Sequence, residues 1–281
     1  MATYRSGEPS GELTKTSLYP GDEGLFLNAL AKARKRGEFL DISGHSLRGL
    51  NLDGKDLTGL IAKRVDWSDT SCSRAVLDGV DLTRSNLARC SFIGASLRGV
   101  NAERVSARDA NLDGVQAAGS IWVEADLRGI SAHAADFSHS DGRRSSLVAA
   151  TVIGSDFRSA KLGGSAMTFV NASDADFTAA HLPMVDFRGA VLIGARLDRA
   201  IMVNARLAHA DVTGMTGDPI DFMVDREDDT CQSVGMHSVP DHRGLGRRDR
   251  LVQDYRWSKE RLEEDPHLLR YAKTLGIPLI R

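Results

Sequence analysis

Every fifth residue from Ile42 to Val212 belongs to one apolar series that never slips register. The 34 positions at 47, 52, 57 and onward by fives hold fifteen Leu, five Phe, two Trp, two Met, two Val, six Ala, one Cys and one Gly, and none is charged. Two residues before each, the series 50, 55, 60 through 210 is mostly small, with Ala75, Ala95, Ala125, Ala160 and Ala190 among its members. Between the two stands, more often than not, Asp, Asn or Ser, as at Asn51, Asp56, Asp81, Asn86, Asp126, Asp136 and Asp176. A period of five matches neither the 3.6 of a helix nor the 2 of a strand, so these side chains would spiral around one and alternate faces on the other. A chain that turns a corner every five residues sends them all to one axis.

Units such as Ala125-Asp126-Leu127-Arg128-Gly129, Ala135-Asp136-Phe137-Ser138-His139 and Ala175-Asp176-Phe177-Thr178-Ala179 carry this pattern through about 170 of the 281 residues. In them the sequence resembles the pentapeptide-repeat family, whose consensus is A(D/N)LXX. The resemblance implies an all-β solenoid, a right-handed quadrilateral β-helix with four pentapeptides per coil, the central and small residues inward and the other three outward. Volume offers a check within this chain, because an oversized axial residue needs small neighbours one coil away. Twenty residues from Trp122 in either direction stand Ala102 and Gly142, whereas a fifteen-residue coil sets it against Ala107 and Phe137. Trp67 is the other large axial residue. In the twenty-residue frame Phe137, Phe157 and Phe177 form one column, with neighbours about 4.8 Å apart. The rod is then about 40 Å long.

The ends differ from the repeat. Residues 1–40 read as a polar leader followed by a capping helix, which starts at Asp22, buries Phe26, Leu30 and Ala33, and stops at Gly37. Its basic end, Lys32, Arg34, Lys35 and Arg36, fits cations at a helix C-terminus better than a nucleic-acid arm. Residues 41–214 are the solenoid and 215–281 a C-terminal loop and helical tail, with helical signals from Arg247 to Glu264 and again after Pro266. This tail carries too little apolar surface for a core of its own, so it caps the last coil, makes a homo-oligomer or docks on another protein.

Composition and charge exclude some classes of function. The formal net charge is −2, and residues 41–214 carry 19 Lys or Arg against 20 Asp or Glu, which argues against direct nucleic-acid binding. No apolar run approaches the roughly 20 residues that cross a membrane, and the first twenty residues contain no secretory h-region, so a cytoplasmic location is expected, with incorporation into a larger particle open. Cys72 and Cys90 fall on inward positions, as small hydrophobes, while Cys231 lies outside the repeat. Cys231, His237 and His242 share a tail loop, but their spacing fits no standard zinc site and a fourth ligand is not evident, so neither a metal nor a cofactor is expected. Glycines such as Gly49, Gly54, Gly79 and Gly94 sit at corners, where permissive dihedrals are needed, not in a phosphate-cradling loop. No acid–base pair stands out, and an enzyme is not expected.

The surface holds one unexpected feature. Arg64, Arg84, Arg104 and Arg144 share a column at twenty-residue spacing, with Glu124 in the fourth slot and Lys63 and Arg143 beside it. Like charges at strand spacing repel unless anions relieve them. Local pairing with Asp81, Glu103, Glu124 and Asp141 is the simpler explanation; docking of an acidic segment, this chain's own Asp225 to Asp229 or a phosphate-bearing partner, is the functional one. The resemblance also implies an activity best known in the family: an acidic rod that mimics DNA on a type II topoisomerase (gyrase) and confers quinolone resistance. The near-neutral surface and the absence of inserted loops weigh against it, and favour a non-enzymatic, rod-like protein–protein interaction scaffold or a structural subunit of a larger assembly.

Overall fold

The computed structural model describes residues 17–224. Each side of the coil contributes one ladder residue: Asn51 bridges Ser71, Ser71 bridges Ser91, and Ser91 bridges Asn111, all in parallel. Three further ladders, through Ser46 and Asp66, Asp56 and Val76, and Ile61 and Asp81, take the same twenty-residue step. One turn is therefore four pentapeptides. Such sides are too short for regular strands, which among the described residues are β1 (Leu40–Asp41), β2 (Leu60–Ile61), β3 (Ile201–Ala205) and β4 (Ile220–Val224). β1 pairs with β2 and β3 with β4, both in parallel. The four faces are numbered here in chain order, face 1 holding residues 61–65 and their twenty-residue equivalents, face 2 holding 66–70, face 3 holding 71–75 and face 4 holding 76–80.

The backbone explains the consensus. In the unit 71–75, Cys72 N–H donates to Ser91 O in the next coil (2.7 Å), Arg74 N–H to Ile93 O (2.8 Å), and Ala75 N–H to Cys72 O across the turn (3.0 Å), while Ser71 N–H donates back to Leu50 O (2.9 Å). Only the third amide lacks a backbone acceptor, and a group in that position must find another. An Asp or Asn two residues earlier supplies it: Asp136 Oδ1 accepts from Ser138 N–H (2.9 Å), Asp176 Oδ1 from Thr178 N–H (2.9 Å) and Asn171 Oδ1 from Ser173 N–H (3.2 Å). At three Ser positions an Asp one coil earlier does the work instead. Asp53 bonds Ser73 N–H and the Ser71 hydroxyl, Asp78 bonds Arg98 N–H and the Ser96 hydroxyl, and Asp113 bonds His133 N–H and the Ser131 hydroxyl.

Corners are left-handed without exception. Every fourth residue of a unit from 44 to 214 has φ between +50° and +78°, and twenty of these residues are not glycine. That region costs an L-residue free energy in isolation. It persists because each corner amide is held by the neighbouring coil, as Arg64 N–H is by Thr83 O at 2.9 Å.

The axial and small residues fill the interior. Phe137 stacks on Phe157 at 5.3 Å between centroids and Phe157 on Phe177 at 5.1 Å, with planes within 11°. Trp122 is turned differently from the sequence expectation. It meets Phe137 edge-to-face at 6.2 Å, around the turn of its own coil, and its indole Nε1–H donates to Ser120 Oγ at 2.6 Å. Gly142 instead makes room for the next coil, since a Cβ built there would lie 2.9 Å from Leu162 Cδ2. Trp67 is wholly buried, and its Nε1–H has no partner among the described residues.

At the N-terminal end α1 (Glu23–Lys35) buries Phe26, Ala29, Leu30 and Ala33. Asp22 caps it through its position only; its carboxylate accepts from Tyr19 N–H (3.0 Å), and Glu23 accepts from Gly21 N–H (2.8 Å) and Asn51 N–H (3.2 Å). Gly37, with φ +71°, ends the helix as Gly37 N–H bonds Arg34 O and Glu38 N–H bonds Ala33 O. Arg34 clamps the helix to face 4, donating to Thr58 O (2.6 Å) and the Asp56 carboxylate (2.7 Å). At the other end the ladder passes the expected limit at Gly214. Thr216 bridges Arg196, and β4 continues the coil to Val224 with a one-residue slip, Ile201 pairing with Ile220. The slip hides the last coil from a strict count of five, and Gly217 permits it: its φ is +112° and a Cβ there would strike the backbone of Leu197 and Asp198. The helical tail and the Cys231, His237, His242 loop lie outside the described residues.

Candidate functional site

Face 1 meets face 2 at the corner occupied in successive coils by Arg64, Arg84, Arg104, Glu124, Arg144, Gly164, Met184 and Asn204. The Arg144 stem runs along the rod toward the next coil, passing within 3.6 Å of a Cβ built at Gly164. Glu124 ties its two neighbours in the column together. Its carboxylate takes Arg104 Nε at 2.7 Å and Arg144 Nη2 at 2.8 Å, and Arg104 also reaches Glu103 at 3.6 Å. The Arg104 hydrogen bond and charge hold the Glu124 carboxyl below the usual glutamate range and raise the Arg104 guanidinium. Lys63 pairs with Asp81 at 3.1 Å and Arg143 with Asp141 at 2.7 Å, and the Arg143 bond lowers the Asp141 carboxyl.

Arg64 and Arg84 differ from the rest of the column. Both are exposed, and among the described residues neither has an ion-pair partner. Many other arginines are engaged, Arg48 and Arg89 sharing Asp69, Arg108 and Arg128 sharing Asp126, and Arg158 holding Asp156; Arg74 and Arg199, each alone on another corner, are exposed and also have no ion-pair partner among the described residues. The faces are also unequal. Within residues 41–214, faces 1 and 2 carry 13 Lys or Arg against 10 Asp or Glu, net +3; faces 3 and 4 carry 6 against 10, net −4. The near-neutral total conceals a rod with a basic and an acidic side.

Further along the same corner Gly164 leaves a shallow recess of about 590 Å³, lined by Gly164, Ser165, Ala166, Met184, Asp186, Asn204 and Arg206. Met184 stands beside it 64% exposed, the most exposed large apolar residue after Phe39 among those described. Unpaired arginines thus sit at one end of the corner, and an exposed methionine beside a recess of mixed lining at the other.

A Ser–His–Asp grouping occurs on face 3, but its geometry is that of a backbone support. His133 Nδ1 lies 2.9 Å from Asp113 Oδ1 and 3.0 Å from Ser131 Oγ. A general base needs its orienting carboxylate on one ring nitrogen and its nucleophile on the other. Burial pushes the thiol of Cys90 up to about 12 and that of Cys72 upward as well, which leaves both without thiolate character. Among the described residues no group of three or more His, Cys, Asp and Glu is placed to hold a metal ion, and no helix is long and apolar enough to cross a membrane.

Comparison with known proteins agrees with this geometry. The family model described as pentapeptide repeats matches in overlapping copies from residue 70 to residue 214, 145 of 281 residues. Among solved structures, the chain is similar to HetL, a pentapeptide repeat protein involved in heterocyst differentiation regulation from the cyanobacterium Nostoc sp. strain PCC 7120. The likeness covers 68% of this chain and 93% of that one, at 24% identity and a TM-score of 0.56, and is one of fold. QnrB1, a plasmid-mediated fluoroquinolone resistance protein, aligns over 62% of this chain and 93% of its own at 15% identity and a TM-score of 0.44. No curated protein sequence matches the chain.

Proposed function

The chain belongs to the pentapeptide-repeat family, and from that premise we propose that it is a rigid, non-enzymatic scaffold that binds protein through the corner between faces 1 and 2. One observation carries this reading: the polar side chains that the repeat supplies are mostly spent on holding the coil, whereas Arg64 and Arg84, one coil apart on a single corner, are charged, exposed and unspent. Two adjacent guanidiniums at coil spacing form a fork for carboxylate or phosphate groups. The division of labour in the chain follows: residues 1–40 are a leader and a cap, 41–224 the rod, and 225–281 a docking or capping tail.

DNA mimicry on a topoisomerase is the weaker reading. A duplex as long as this rod, about 40 Å, carries roughly 24 phosphate charges at one per ~1.7 Å. The acidic side of the rod, faces 3 and 4, has a net of −4. Co-purification from the native host with cross-linking and mass spectrometry, run beside a gyrase supercoiling assay, separates the two readings. Stoichiometric recovery of a protein cross-linked near Arg64 or Arg84, without effect on supercoiling, is expected. Recovery of topoisomerase subunits cross-linked to faces 3 and 4 would reverse the order.

A further inference from the structure

We propose that the occupant of this corner is a second copy of the chain: two rods lie antiparallel, and the acidic segment that follows Val224 in each lies along the arginine corner of the other. This rests on the reading of the corner as a protein-docking surface and names its partner. Three observations support it. The first is charge. Asp225-Arg226-Glu227-Asp228-Asp229 carries a net of −3, against the net +3 of faces 1 and 2. Two such basic sides repel each other unless each receives the other's acidic run.

The second is reach. β4 lies one coil beyond β3, so Val224 is about seven coils, roughly 34 Å, from Arg84 of its own molecule. Five residues span at most about 18 Å. Residues 225–229 therefore cannot reach Arg84, or the more distant Arg64, in the same molecule, so these two unpaired arginines are not neutralised by their own chain's acidic run. In an antiparallel pair the C-terminal end of one rod lies beside the N-terminal end of the other, where Arg64 and Arg84 stand.

The third is spacing. From Arg84 to Gly164 is four coils, about 19 Å. Val234 and Met236 follow Asp229 by five and seven residues, an extended reach of roughly 17–23 Å. With the acidic groups on Arg64 and Arg84, the segment is long enough to bring Val234 or Met236 to the recess, where the exposed Met184 side chain offers the apolar contact. Two-fold symmetry makes both contacts identical and closes the assembly at a dimer.

Charge exchange in the full-length protein tests this. By light scattering the wild type should have twice the mass of 30.4 kDa, and R64E/R84E and D228R/D229R should each fall to 30.4 kDa with unchanged thermal melts. Mixed in equal amounts, these two variants should return to twice 30.4 kDa, since only the mixed pair has complementary charge at both contacts. If a reversal lowers the melt, R64Q/R84Q replaces it, and the same loss of mass is expected. A monomeric wild type, a variant that stays dimeric, or a mixture that stays monomeric overturns the proposal. A monomer that still captures another protein at this corner leaves the scaffold reading intact, whereas a dimer that captures no other protein confines docking at this corner to the second copy.

Discussion

Removing Asp113 should damage the coil after its own, and one further substitution should repair it. Asp113 Oδ1 accepts from Ser131 Oγ (2.7 Å), His133 N–H (2.8 Å) and His133 Nδ1 (2.9 Å). Asp113→Ala leaves the amide of residue 133 without a protein acceptor. His133 is exposed, so water relieves part of the loss, and the scale of a helix N-cap applies, ~0.5–2 kcal/mol. For a folded unit of this size that is a fall in Tm of roughly 1–8 °C. Ser131 holds the ladder position where Asn171 and Asp136 bond the third amide of their own units. Ser131→Asn on the Asp113→Ala background should therefore restore the acceptor locally and recover most of the loss. Asp136→Ala should cost more, ~1–3 kcal/mol, because Ser138 is buried and its amide is beyond the reach of water, while Asp136→Asn should be near neutral. Calorimetric melts of the five proteins check the series. If Asp113→Ala melts with the wild type, or Ser131→Asn fails to rescue it, the side-chain account of the consensus is wrong.

Gly142→Leu should destabilise by ~1–3 kcal/mol or more, read by the same melts, since even a Cβ meets Leu162 at 2.9 Å. Stability should fall in acid. Glu124 and Asp141 have native values held below their ordinary ones by Arg104 and Arg143, so their contribution is complete above about pH 4.5 and is lost as pH drops through the lowered values; urea midpoints at stepped pH show it, and a midpoint flat to pH 3 would contradict it. Cys72 and Cys90 should resist iodoacetamide at pH 8 until the protein unfolds, as peptide mapping of native and denatured samples will report.

How much of this was legible in the sequence depends on whether a feature is periodic. The axial series and the twenty-residue step are repeated dozens of times, so the solenoid and the Phe137, Phe157, Phe177 column could be read without coordinates. The start and stop of α1 follow from Asp22 and Gly37, but not the clamp by Arg34, which depends on where the helix lands. Corner dihedrals were visible only where glycine marks them. At Arg64, Phe169 or Met184 the residue gives no such signal, and coil closure imposes the conformation. The supporting role of Asp113 needs a contact eighteen to twenty residues away. The orientation of Trp122 was missed because spacing gives its neighbours along the rod and not the side to which its ring turns. At the corner site, the sequence supplied the arginine column but not which members are paired: Glu124 satisfies Arg104 and Arg144, and Arg64 and Arg84 are left over. The recess at Gly164 had no sequence signature at all.

The central claim is that this rod binds protein through one corner, and a comparison of two corners tests it most directly. Arg74 occupies the left-handed corner between faces 3 and 4, with its stem against Gly94, and serves as the matched control. Full-length wild type, R64E/R84E and R74E are immobilised and exposed to native-host extract together with the soluble wild-type chain, and what each retains is quantified by mass spectrometry. The account predicts that R64E/R84E loses at least ten-fold of the stoichiometric partner, the second copy included, equivalent to about 1.4 kcal/mol, while R74E retains the wild-type amount. Equal retention by all three proteins would contradict it.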